Sequence, residues 1–232
     1  MRIEVKEKIN RVWEDARKEL FGTKFQGIID RGYAIEDCLE ADESQFKLLF
    51  LSLNPSNDGL EKASGKEGII YSLKDRKALK AQFWQEHFKL YDGVKDVTGL
   101  DIPFLHHDLF YVRETDSKRI IAMRNEEKAF MKRQLAATEE IIRELVPDLI
   151  VVNNSRAFDI FQEEKLFGFV PVDNWDEGLG VDFLPALHCR YFDKGTPIIF
   201  SGMLSGGAMD RGTKRSLQWH ICHIIRQVLK MA

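Results

Sequence analysis

Apolar and polar positions follow two periods along this chain, and the switches between them mark its elements. From residue 3 to 20 the side chains Ile3, Ile9, Val12, Trp13 and Leu20 recur at helical spacing and predict an amphipathic helix. Phe46 to Leu53 is an almost continuous apolar run instead, the pattern of a strand buried on both faces. The second half of the next connection, Lys74 to Tyr91, brings Leu79, Phe83, Trp84, Phe88, Leu90 and Tyr91 into a second helical stripe of core character. Pro103 to Val112, rich in aromatic and branched residues, predicts a second strand, although it carries the polar His106, His107 and Asp108. Asn125 to Leu145 reads as a helix with Phe130, Ala137, Ile141 and Leu145 on one face. A strand Leu149 to Val152 and a short helix around Ala157 to Phe161 come next. Pro197 to Phe200 is the last strand, and a helix from about Thr213 to Leu229 buries Leu217, Ile221, Ile224 and Val228.

Strands separated by helices require crossover connections, so the expected fold is α/β: a three-layer α/β/α sandwich with a central four-stranded parallel sheet. In such sheets ligands bind beyond the carboxyl ends of the strands. Asn54, Asp108, Asn153, Asn154, Ser201 and Ser205 all fall at or near those ends. The sharpest ending is Ser52-Leu53-Asn54-Pro55-Ser56, where Pro55 sets the direction of the exit loop. Asn-Pro-Ser is also ordinary turn chemistry.

The 232 residues contain no Pro/Gly/Ser-rich linker and no repeat, so a single domain over 1–232 is expected, with 1–40 a helical N-terminal extension packed on it. Three scattered cysteines exclude a disulfide framework and provide no zinc spacing, which fits a reduced, cytoplasmic compartment. No signal-peptide pattern or membrane-length apolar run occurs, and a monomer without membrane contact is expected. A formal net charge of −3 gives no global attraction to nucleic acid. Any DNA contact then rests on local groups: Lys62 to Lys80, Arg113 to Arg124, and Arg211, Lys214 and Arg215 at the start of the last helix. Acidic residues gather at Glu36 to Glu43 and Asp173 to Asp182.

With these strands and endings in place, the chain resembles the uracil-DNA glycosylase superfamily from about residue 44 onward. Ser52-Leu53-Asn54-Pro55-Ser56 is similar to that superfamily's first motif, Gly-x-Asn-Pro or a close variant. Glu144 to Val152, with Ala157 opening the next helix, resembles its third strand, and Met203-Leu204-Ser205 stands where its second motif and DNA-wedging loop lie. The resemblance implies hydrolysis of the N-glycosidic bond of a modified or mismatched base flipped out of DNA, with no cofactor and no metal. Asn54 would hold the attacking water, Asp108 would read the base, and Leu204 would enter the minor groove, flanked by Gly202, Gly206 and Gly207. Ser52, Pro55, Ser56, Asn153, Ser201, Gly202 and Ser205 would line the pocket, Tyr71 or Phe83 would stack on the base, and Arg211, Lys214 and Arg215 would hold phosphates.

Three positions depart from the family pattern. Ser52 replaces a glycine. Asp108 stands where the family often has asparagine, and an ionised carboxylate only accepts hydrogen bonds, which disfavours uracil unless burial protonates it. No histidine occupies the last motif, so His106, His107 or His188 would have to substitute. Two other readings remain open: a nucleic-acid or nucleotide-binding module of the same fold with weak or no base release, and an α/β enzyme that holds a small phosphorylated metabolite on the Gly202 to Gly207 loop. Ser205 lacks a nucleophile elbow, and His220 and His223 lack a carboxylate pattern for a metal.

Overall fold

The computed structural model describes residues 3–37, 45–55, 69–72, 76, 79, 81–204, 207 and 209–231. In chain order its elements begin with α1 (Ile3–Glu19), α2 (Gln26–Ile29), β1 (Ala34–Asp37), β2 (Leu48–Ser52), β3 (Ile69–Ser72) and α3 (Gln82–Thr98). They continue with β4 (Leu105–Asp108), α4 (Ser117–Glu126), α5 (Lys128–Leu145), β5 (Leu149–Val152) and α6 (Ser155–Glu164). β6 (Trp175–Asp176), β7 (Val181–Leu184), β8 (Thr196–Phe200) and α7 (Arg211–Met231) complete the chain. None of the described helices is long and apolar enough to cross a membrane.

The fold is α/β, with six strands in one mixed sheet ordered β4-β2-β5-β8-β7-β6 and a separate parallel pair β1-β3. The four strands expected from the apolar runs are β2, β4, β5 and β8, and β2, β5 and β8 pair in parallel. The expectation of a four-stranded parallel sheet is corrected at the β8 edge, where β7 and β6 add antiparallel. A hairpin needs only a tight turn. Here Asp176 Oδ1 accepts the Leu179 N–H at 3.0 Å, so the acidic stretch read as surface charge contains the turn itself. The predicted helix from Asn125 is also broken. Asp116 caps α4 by accepting the Lys118 N–H at 2.9 Å, and Glu127 leaves helical geometry at φ −108°, ψ 50° before α5 begins.

Chain contacts divide the protein into two compact units. The first comprises Met1–Glu40, Ser52–Ser72 and His107–Leu145. In it α1 packs on α5, Trp13 meets Tyr33 and Phe130 edge-on, and the indole N–H of Trp13 donates to Ile29 O at 3.1 Å. The N-terminal segment is thus part of this unit's core.

The second unit comprises Ala41–Leu51, Leu73–His106 and Val146–Ala232. α3 and α7 pack together over Phe46, Leu48, Leu149 and Val151, and Gly99, at φ +71°, ends α3 in the left-handed region that favours glycine. Asp148, fully buried, accepts the Lys47 N–H at 2.8 Å and forms a two-pronged ion pair with Arg190, which ties the starts of β2 and β5 to the β7–β8 connection.

Candidate functional site

The order β4-β2-β5-β8 reverses direction between β2 and β5, and such a reversal is where open α/β sheets open a crevice past their carboxyl ends. In the first unit the chain leaving β4 runs beside the chain leaving β2. Leu109 N–H donates to Ser52 O and Phe110 N–H to Leu53 O, each at 3.0 Å. Asn54 follows directly, half-buried behind the buried Pro55. Its amide nitrogen donates to Pro55 O at 2.9 Å, Val112 O at 3.2 Å and Glu114 O at 2.6 Å. Three carbonyls therefore clamp Nδ2, and Oδ1 is the side-chain atom with acceptor capacity to offer a water.

The loop beyond Val112 is held from a second side. Glu114 Oε1 accepts the N–H groups of Thr115 and Asp116, while Oε2 pairs with Arg31 at 3.1 Å and Arg119 at 2.8 Å. Arg113, buried, donates to Arg31 O at 3.0 Å. The basic run Arg113 to Arg119, expected as a surface patch, is here partly consumed in fixing this loop.

Asp108 ends β4 and is 2% exposed. It hydrogen-bonds Glu36 on β1, also 2% exposed, and His107 Nδ1 stands 3.8 Å from Glu36 Oε2. Burial pushes the Glu36 carboxyl up to about 7, with the Asp108 hydrogen bond pulling the other way. Two carboxyl groups bonded to each other hold one proton between them. Asp108 is therefore not the lone carboxylate expected: the shared proton bridges the two carboxyl groups, and their remaining oxygens accept. His106, two positions before Asp108 on the same strand, projects to the same face.

In the second unit, β5 ends at Asn153, which is buried. Its amide donates to His87 Nε2, while His87 Nδ1 lies 2.8 Å from Phe83 O. Those partners define the tautomer: Nδ1 carries the proton and Nε2 accepts. Burial, reinforced by the neighbouring His106, lowers the His87 pKa to about 3, so this imidazole stays neutral. Phe83 packs its ring against His87 at 4.3 Å and His106 at 5.4 Å between centroids, within an aromatic cluster that includes Trp84.

The other expected site residues divide. Ser201, half-buried at the end of β8, donates to Val152 O at 3.1 Å and Gly202 O at 3.3 Å. Ser52 is buried, and Asn154 is the cap of α6, accepting the Arg156 N–H. Tyr71 pairs with Glu36 in the β1–β3 register. Ser56, Ser205 and Gly206 lie outside the described residues. Leu204 is 1% exposed and packs in the core with Leu217 and Ile221, whereas the preceding Met203 is exposed. Lys214 is engaged by Glu86 at 2.6 Å, and Lys214 and Lys89 together lower the Glu86 pKa to about 2; Arg211 and Arg215 are exposed. His188 is exposed. Glu36 and His87 were missed. The first is a carboxylate closing the short apolar run Tyr33-Ala34-Ile35, and the second lies four residues after Phe83 on an aromatic stripe.

No protein-family profile matches the chain, and a comparison with curated proteins finds no match.

Proposed function

We propose that the chain is a DNA N-glycosylase of uracil-DNA glycosylase-like, three-layer fold that releases a modified or mismatched base. The observation that carries the reading is the pairing of the β2 and β4 exits, with Asn54 clamped through Nδ2 on one exit and, in the same unit, a buried carboxyl pair at the end of β4 that keeps a proton near neutrality. Base release needs a positioned water below the anomeric carbon and a donor for the charge that develops on the departing base. Asn54 Oδ1 serves the first need. The proton held by Glu36 and Asp108 serves the second, in place of the motif histidine that the chain lacks. With that proton bridging the two carboxyl groups, the remaining oxygens only accept, so base edges that present donors stay favoured over uracil.

The test uses duplexes that each carry one modified or mismatched base, with abasic sites revealed by alkaline strand scission. Release of one base is expected, abolished by Asn54→Ala and Asp108→Ala and reduced by Asp108→Asn, which leaves Glu36 no second carboxyl with which to share a proton. Burial of Leu204 favours a second reading, a duplex-binding module that does not wedge the helix open. Duplex binding with no scission across the whole panel would select it.

A further inference from the structure

The outer face of α7 carries a feature that base release does not use. Trp219 is 67% exposed, and His223, one turn on, stacks against it with ring centroids 5.2 Å apart and planes 9° from parallel. This two-ring ridge separates two open hollows of about 640 and 340 Å³. Arg215 lines both, Leu179, Gly180 and His220 are among the residues of the larger, and Arg226 and Val97 line the smaller. Among the residues lining either hollow none is acidic, although the chain as a whole is acidic. Arg215, Trp219, His223 and Arg226 recur at three- and four-residue spacing, so they form one stripe that extends about 16 Å along the helix. Arg226 is oriented by a hydrogen bond to Val97 O at 3.1 Å, and His220 by one to Leu179 O at 2.9 Å.

From this arrangement we infer that the α7 face binds single-stranded nucleic acid, with bases stacked on Trp219 and successive phosphates on Arg215 and Arg226. Every base presents a π-face to an indole, and arginines at either end of an aromatic platform are the chemistry that tracks a flexible anionic backbone. An apolar protein partner fits less well. The exposed apolar neighbours are isolated side chains, and cations occupy the rim where an apolar contact would need to spread. The inference does not depend on base release, since Trp219 lies on the second unit and takes no part in the Asn54 or Asp108 chemistry.

A labelled twelve-nucleotide oligothymidylate is titrated with the full chain and followed by fluorescence anisotropy at several salt concentrations. Binding is expected, weakened on the order of tenfold or more by Trp219→Ala and largely kept by Trp219→Phe, which preserves a ring. Two phosphate contacts give a slope of about −1.4 for log K against log salt, and Arg215→Gln with Arg226→Gln should remove most of it. The oligonucleotide titration and the strand-scission panel are separate readouts on separate residues, so absence of base release leaves this inference standing. Absence of binding, binding indifferent to Trp219→Ala, or self-association in sedimentation that Trp219→Ala abolishes would each overturn it, the last by assigning the stripe to a second copy of the chain.

Discussion

Replacing Glu36 by glutamine should stabilise the protein in a pH-dependent way, because glutamine mimics the protonated carboxyl and cannot ionise. In the unfolded chain Glu36 titrates at its ordinary value of 4.5, whereas burial holds it at about 7 in the native state. Between those values the native state binds more protons, so this group's contribution is fully present below pH 4.5 and is lost as pH rises toward 7. The difference amounts to about 3 kcal/mol at 1.36 kcal/mol per pH unit. His87 acts in the opposite sense. Its pKa is lowered from 6.5 to about 3, so its contribution grows as pH rises between those values and masks part of the Glu36 effect in the unaltered protein. Subtracting the stability of the unaltered protein from that of Glu36→Gln at each pH removes the histidine, which both proteins share. Urea unfolding at pH 4, 5, 6, 7 and 8 should therefore give a stability difference near zero at pH 4, climbing to about 3 kcal/mol at pH 8. With a slope of about 2–3 kcal/mol per molar urea, the midpoint shifts by roughly 1 M. A difference that stays flat across this range, or that favours the unaltered protein at pH 8, would refute the buried, proton-holding carboxyl pair.

Asn54→Asp keeps the acceptor but removes the donor that three backbone carbonyls share, and it should lower stability by about 1–3 kcal/mol in calorimetry. An unchanged midpoint would show that the clamp contributes nothing. Arg190→Met leaves Asp148 buried without its cation and should cost about 3–5 kcal/mol, while Arg190→Lys, which loses the two-pronged geometry, should recover only part of it on thermal unfolding. Leu204→Ala should destabilise by about 2–5 kcal/mol as a core truncation; a variant with wild-type stability but reduced duplex binding would return Leu204 to the wedge role.

Long periodic segments were legible before any coordinates. α1 spans Ile3–Glu19 against an expected 3 to 20, β5 is Leu149–Val152 as expected, and α7 runs Arg211–Met231 around the expected 213 to 229. Such runs carry enough apolar side chains on one face to commit locally. The two-residue β6 and the four-residue β1 and β7 do not, and each owes its conformation to a partner strand. α3 begins at Gln82, after the Lys74 to Lys80 segment, most of which lies outside the described residues.

For the candidate site the division is similar. Strand endings follow from where apolar runs stop, so Asn54, Asp108, Asn153 and Ser201 could be named from the order of residues alone. Their chemistry could not. Whether Asp108 is a bare carboxylate or half of a proton-sharing pair depends on Glu36, seventy-two positions away in the chain and adjacent in space. Whether His87 is charged depends on burial and on which carbonyl takes its Nδ1 proton. Periodicity is a property of neighbours along the chain, and residue order determines it. Protonation, tautomer and the exposure of Leu204 or Trp219 are set by desolvation and by contacts between distant segments, and those exist only once the chain has closed on itself.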